Sequence, residues 1–83
     1  MARTLHLVTS SRGPHPWDIL RHVTGDAAVV LIQEAVGADA GLALPVFASA
    51  ADAARRGIQP PYPLLDDDAL LTMIWEAETV CVW

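Results

Sequence analysis

The 83 residues of the chain suffice for one small domain, residues 1–83. A formal charge of −5 argues against direct contact with nucleic acid, because binding phosphates needs clustered lysine and arginine, and Arg55 and Arg56 are the only adjacent basic pair. Hydrophobic residues make up 53% of the chain and charged residues 18%, which is more apolar material than so small a core easily encloses. The surplus predicts a subunit interface and therefore an oligomer.

The sequence predicts a soluble, cytoplasmic protein. Residues 1–14 lack the apolar core of a signal peptide, and the apolar run 27–32 is far too short to span a membrane. Cys81 is the sole cysteine, so an internal disulfide is impossible and nothing indicates an oxidising compartment.

The first part of the chain predicts a strand, a helix and a second strand. Residues 4–8 (TLHLV) are β-branched and apolar, and turn formers follow in residues 10–14. Pro16 suits the first turn of a short helix, for which Gly25 offers a stop. Residues 27–32 (AAVVLI) are apolar at consecutive positions, which is typical of a strand covered on both faces. The apolar positions at helical spacing in the predicted helix are Ile19, Leu20 and Val23.

The middle of the chain predicts a weak helix, a short strand and a capped helix. Residues 34–44 are rich in alanine and could be helical, although two glycines weaken that prediction. Residues 45–49 (PVFAS) resemble a strand. Ser49 can cap a helix over residues 50–57, which closes on a glycine.

The last part predicts a helix and a closing strand after a turn-rich linker, residues 58–63, and the short apolar pair Leu64-Leu65. The carboxylates of residues 66–68 mark a helix start, where they meet the partial positive charge of the helix amino end. Leu71 and Trp75 widen the apolar stripe of this helix beyond what one sheet face requires, so part of it is expected to meet a partner. The stripe itself consists of Leu70, Met73, Ile74 and Ala77.

Residues 79–83 (TVCVW) predict a fifth strand. Strands and helices therefore alternate along the whole chain. This order predicts an α/β protein, a three-layer α/β/α sandwich with a mainly parallel five-stranded sheet.

The ordered landmarks TLHLVTSS, LIQEAV and FASAADAARRGI, with a last strand that closes on Trp83, resemble the TusB/DsrH family over nearly the whole chain. The resemblance implies a DsrE/DsrF/DsrH-like fold and the smallest subunit of a bacterial sulfur-relay complex, typically a dimer of heterotrimers. It implies DsrE-like and DsrF-like, or TusD-like and TusC-like, sister subunits as partners. Such complexes pass persulfide sulfur between proteins, toward 2-thiolation of the wobble uridine of certain tRNAs or within dissimilatory sulfur oxidation.

Two departures from the family pattern bear on the chemistry. The family commonly has Asp-Gly after the second strand, where this chain has Glu34-Ala35, so ordinary helix formers replace a tight glycine turn. In the DsrH branch a cysteine on the first helix is a candidate sulfur carrier, and the position that matches by spacing is Ile19. The family's thiol is missing.

Cys81 is therefore the one weak candidate for a catalytic residue. It lies between two valines in a strand that is predicted to be covered on both faces. An apolar setting of this kind raises the pKa of a thiol and blocks access to it, which favours an inert core cysteine.

The remaining polar candidates are amide, carboxylate and imidazole groups. Gln33 and Glu34 fall at the carboxyl end of the second strand, where ligands gather in α/β sheets, so they could orient a ligand or a partner's loop. The preferred interpretation is a solvated amide beside a helix-start acid, because a carboxylate is stabilised there without any function.

The three histidines do not predict a metal site. His6 is placed on a strand, His15 in a turn and His22 late in a helix, and no pair has ligand spacing. We interpret His6 as a hydrogen-bonded structural residue and His22 as a favourable charge near a helix carboxyl end. A nucleophile and base formed by Ser10 or Ser11 with His6 has little support without a nucleophile elbow.

Trp17, Trp75 and Trp83 exceed what one small core accommodates, and each is either a core or an interface residue, since tryptophan is enriched at binding hot spots. The function expected is a non-catalytic subunit of a sulfur-relay complex, without a cofactor, that scaffolds a cysteine-bearing sister chain and helps to form the docking surface for sulfur donor and acceptor proteins. One alternative is a small sulfurtransferase with Cys81 as persulfide carrier. Another is a free-standing homo-oligomeric binding domain.

Overall fold

The computed structural model describes residues 3–10, 15–23, 25–38 and 41–83, and it confirms an α/β fold with a five-stranded, fully parallel sheet. The strands are β1 Thr4–Val8, β2 Ala27–Leu31, β3 Val46–Ser49, β4 Leu64–Leu65 and β5 Thr79–Val82. The helices are α1 His15–Leu20, α2 Ala50–Arg56 and α3 Asp67–Glu76, and a 3₁₀ helix covers Gln33–Gly37. The predicted turn formers Ser11, Gly13 and Pro14 and the side chains of His15 and Pro16 lie outside the described residues.

The strand order is β4-β3-β2-β1-β5. Connections between parallel strands are right-handed, so three successive steps from β1 to β4 in one direction place their connecting segments on one face of the sheet. The step from β4 to β5 runs back across the whole sheet and therefore places α3 on the other face. Among the described residues every helix is too short to cross a bilayer.

Two apolar clusters lie on the two sides of the central strands. Val8, Val29 and Leu31 belong to the cluster that includes Leu20 of α1, with Trp17 packed against it. The alternate strand residues belong to the second cluster, against which α3 packs. The three-layer sandwich stays a prediction.

Strand β2 is the centre of the core. All five of its residues are buried, as its unbroken apolar run predicted, and it pairs with β1 and β3. The predicted third strand is also confirmed, and the Ser49 hydroxyl at its end accepts a hydrogen bond from the Asp52 backbone N–H at 3.2 Å to cap α2. Gly57 ends α2 with a φ of +65°, a left-handed conformation that favours glycine.

Helix α3 starts at the predicted acidic run. The Asp66 carboxylate accepts a hydrogen bond from the Ala69 backbone N–H at 2.8 Å, so Asp66 is the N-cap. The predicted apolar stripe packs against the second cluster through Leu70, Met73, Ile74 and Ala77. Leu71 and Trp75 are 63% and 89% exposed, respectively, and contribute nothing to that cluster.

Two helical predictions are wrong in extent. Helix α1 ends at Leu20 and then tightens into a turn in which the His22 N–H donates to the Ile19 carbonyl, so His22 lies after the helix instead of late within it. Gly25, with a φ of +93°, belongs to the turn before β2. In the described part of the predicted helix over residues 34–44, which excludes residues 39 and 40, only the single 3₁₀ segment forms, consistent with the low helix propensity of its glycines.

The prediction that the last strand is covered on both faces is wrong. Within the described part of the chain, β5 pairs only with β1 and forms one edge of the sheet. Val80 and Val82 are exposed, and Cys81 is half-buried. The physical reason is the reversal of strand order after β4, which no local pattern in the sequence expresses.

Replacement of the α3 cap tests the local energetics. Asp66→Ala is expected to lower the free energy of unfolding by about 1 kcal/mol, because the Ala69 N–H loses its acceptor. Asp67→Ala removes a carboxylate from the first helical residue, so its expected cost is only about 0.3 kcal/mol. Urea denaturation followed by circular dichroism at one protein concentration measures both, and equal losses would contradict the capping role.

Candidate functional site at the carboxyl edge of the sheet

All five strands point their carboxyl ends at the same edge of the sheet because they are parallel. Polar residues follow β1, β2 and β4 at this edge, and Ser49 closes β3. The strand order reverses between β1 and β5, and ligands of open α/β sheets bind outside the strand ends at such a switch point. The carboxyl edge is therefore the candidate site. The polar residues after the strands are Thr9, Ser10, Gln33, Glu34 and Asp66.

Hydrogen bonds between Thr9 and Trp83 join the ends of β1 and β5 at the switch point. The Thr9 hydroxyl donates to the Trp83 carbonyl at 2.7 Å, and the Thr9 backbone N–H donates to the same oxygen at 3.2 Å. The Trp83 N–H in turn donates to the Leu7 carbonyl at 2.8 Å. These bonds continue the pairing of β1 with β5 beyond the last strand residue, so the two strand ends are held together.

Gln33 leaves β2 in a strained conformation. Its backbone φ is +51°, a value that residues other than glycine rarely adopt. The Gln33 N–H donates to Asp52 Oδ2 at 2.8 Å, while Asp52 Oδ1 accepts from Arg55 at 3.0 Å. Asp52 is not among the candidate residues that the sequence suggests. Gln33 and Asp52 are 19 positions apart in the chain, so no local sequence pattern could have indicated the hydrogen bond between them.

Glu34 lies beside the end of β1. The Ser10 hydroxyl donates to its carboxylate at 3.5 Å, so the structure brings Ser10 and Glu34 together, and Glu34 occupies the first turn of the 3₁₀ helix, as an acid at a helix start would. Both Gln33 and Glu34 are exposed at the edge. Exposed amide and carboxylate groups suit recognition of a polar group better than abstraction of a proton in a water-excluded cleft.

His6 is buried within β1 and bonded to Trp83. The Trp83 Nε1–H donates to His6 Nδ1 at 3.1 Å, with the ring centroids 6.1 Å apart. The sequence predicted a hydrogen-bonded structural histidine, and this bond agrees with it. The accepting Nδ1 fixes the proton on Nε2, which is buried and has no hydrogen-bond partner in the described part of the chain. Among the described residues neither ring nitrogen of His6 bonds a hydroxyl, so the Ser10–His6 pair is not formed, and Ser11, the other candidate nucleophile, lies outside the described residues.

Cys81 is the register partner of His6 on the neighbouring strand. Residues paired in this way project from the same face of a parallel sheet, so the thiol and the imidazole are neighbours. The half-buried Cys81 thus lies in an edge strand beside a histidine whose Nε2–H has no acceptor among the described residues. Access to this thiol is more open than the sequence predicted.

The three tryptophans separate into two groups. Trp17 and Trp83 are partly buried against the first apolar cluster, so packing explains much of their surface. Trp75 is the most exposed large apolar side chain among those described. Of the predicted interface residues, Gln33 and Glu34 lie together at the carboxyl edge. Trp75 lies near the end of α3, which leads to the amino end of β5.

Among the described residues, no group of three histidine, cysteine, aspartate or glutamate side chains is arranged to hold a metal ion. No protein-family model matches the chain, and no curated protein matches it.

Burial lowers the pKa of His6 below its ordinary value of 6.5, because the charged imidazolium loses hydration in the core. The unfolded chain therefore binds more protons than the folded protein below pH 6.5, and the free energy of unfolding is expected to fall as the pH drops from 6.5 toward the lowered pKa. Protonation would also remove the acceptor for Trp83.

Urea titrations at a series of pH values measure this slope. In His6→Asn the amide oxygen replaces Nδ1 as an acceptor but does not titrate, so the acid slope should flatten. His22→Asn, at an exposed turn position, is the matched control and should keep it. Equal slopes in both variants would assign the pH dependence to other groups.

Proposed function

We propose that the chain is a non-catalytic subunit of a cytoplasmic sulfur-relay complex that supports tRNA wobble-uridine 2-thiolation or dissimilatory sulfur oxidation. The observation that carries this proposal is the exposed apolar surface of α3, on which Trp75 is 89% and Leu71 63% accessible. A single domain with an exposed tryptophan and leucine one helical turn apart fits a protein whose surface is completed by a partner. The resemblance of the ordered sequence landmarks to the TusB/DsrH family suggests that this partner is another subunit of a sulfur-relay complex.

The partners in this proposal are DsrE-like and DsrF-like, or TusD-like and TusC-like, sister chains. Trp75 and Leu71 supply the apolar contact, and the exposed Gln33 and Glu34 supply polar groups at the carboxyl edge for a sulfur donor or acceptor protein. The thiol that carries sulfur belongs to a sister chain, because Ile19 occupies the position that matches the family's cysteine on α1.

A second candidate function is favoured by the position of Cys81 in an edge strand beside His6. As a sulfurtransferase, the Cys81 thiolate would attack the outer sulfur of a donor persulfide. The donor S–S bond breaks, the donor thiolate leaves, and a persulfide remains on Cys81. The Nε2–H of His6 is a buried donor that has no acceptor in the described residues.

Assembly tests the scaffold role of α3. Trp75→Ala is expected to weaken binding to the sister chains by about 30-fold or more, the effect of losing an interface hot spot of about 2 kcal/mol. Glu76→Ala, the adjacent exposed position on the same helix, should leave binding unchanged. Titration calorimetry with the purified sister chains measures both, and unchanged binding in Trp75→Ala would exclude this surface as the contact.

Sulfur transfer separates the two candidate functions. In the assembled complex supplied with a persulfidated donor carrying labelled sulfur, mass spectrometry should find the label on a sister chain, and Cys81→Ala should transfer at the wild-type rate. Label on Cys81, with transfer abolished in a correctly assembled Cys81→Ala complex, would overturn the scaffold role and establish the sulfurtransferase.

A further inference from the structure

Strand β5 presents an open row of backbone hydrogen-bonding groups. The N–H groups of Thr79 and Trp83 donate to carbonyls that flank or belong to β1. Because alternate residues of a strand face opposite neighbours, the N–H and C=O groups of Val80 and Val82 point away from β1. β5 has no other strand neighbour in the sheet of described residues.

The two edges of the sheet differ in protection. β4 is only two residues long and is preceded by Pro60, Pro61 and Pro63, and short length and proline both discourage pairing. The side chains of residues 79–83 include no charge and no proline. β5 is thus the edge at which another strand finds groups to pair with.

We propose that two copies of this chain associate through antiparallel pairing of their β5 strands about a two-fold axis at Cys81. The outward residues Val80 and Val82 are symmetric about Cys81. An antiparallel second copy therefore places each Val80 opposite the other copy's Val82, and every outward N–H and C=O group of both residues gains a partner. A register shifted by one residue in either direction lacks this match.

A second copy is the occupant that the symmetry of the strand favours, because valine stands on both sides of Cys81 and each copy therefore offers the other the same pair of outward residues. The chain carries a net charge of −5, so two copies repel over most of their surfaces, and an uncharged strand is where that repulsion is smallest. At the start of β5 the Glu78 carboxylate is paired with Arg3 at 2.6 Å, which neutralises the nearest charges. Val80 and Val82, 37% and 67% exposed, then form apolar cross-strand pairs.

The two-fold pairing brings the two Cys81 residues together. The backbone N–H and C=O groups of Cys81 point toward β1. The Cys81 residues of the two copies therefore form a non-hydrogen-bonded pair with a Cα separation of about 4.5 Å. Both thiols project from the same face of the joined sheet, and disulfides span Cα separations of about 4.4 to 6.8 Å. The native cysteine therefore reports the register of the interface.

Sedimentation and cross-linking of the isolated full chain test the proposal. At tens of micromolar the wild type should sediment as a dimer, and diamide, which takes two electrons and two protons from two thiols, should give a disulfide-linked dimer. Cys81→Ala should remain a dimer without the link. In Cys81→Ala carrying Thr79→Cys, the new thiols would lie roughly 14 Å apart, so cross-linking should be at least about 100-fold slower.

Lysine substitutions at the two edges separate this interface from general association. Val82→Lys should raise the dimer dissociation constant about tenfold or more, because it places a charge among the cross-strand valines. Leu64→Lys, at a 53% exposed position of β4, is the matched control and should leave the dimer intact. A monomeric wild type, equal effects of the two lysines, or cross-linking of the Thr79→Cys variant as fast as that of the wild type would overturn the proposal.

Discussion

The handedness of the crossover connections is the constraint on which the rest of this structure depends. Three steps in one direction from β1 to β4 commit their connections to one face, and the single return step commits α3 to the other. That return carries the chain past three strands, β3, β2 and β1, to the far side of β1. It creates the switch point between β1 and β5, and it leaves β5 with one strand neighbour instead of two among the described strands.

An edge strand of four residues needs an anchor, and the contacts of Trp83 supply one. Its N–H, its carbonyl and its indole N–H bond Leu7, Thr9 and His6 in turn, all on the β1 side. The buried imidazole that accepts the indole bond keeps its other nitrogen without a partner among the described residues. A polar pair in the core therefore fixes the last strand while its outer backbone groups stay available.

The polar groups, the thiol and the exposed apolar side chains lie on different parts of this fold. The carboxyl edge presents Gln33, held at a positive φ by Asp52, and Glu34 beside Ser10. These groups suit recognition, and the one thiol lies apart from them, within β5. The apolar contact surface lies on α3, which the return crossover places on the opposite face from α1. A subunit that docks by one surface and presents another is consistent with this separation.

The sequence by itself determined the α/β class, the start and the burial of strand β2, both ends of α2 and the start of α3. Each of these depends on a local signal: an unbroken apolar run, a capping side chain or a glycine stop. It also determined that α3 has more apolar surface than one sheet face can cover. Only the tertiary structure decided the strand order, and with it the exposure of Cys81 and Val82 at an edge. It alone decided the His6–Trp83 bond and the hold of Asp52 on Gln33, since these contacts join residues 77 and 19 positions apart. A residue's neighbours along the chain fix its conformational preference, whereas its burial depends on which strands the crossovers place beside it.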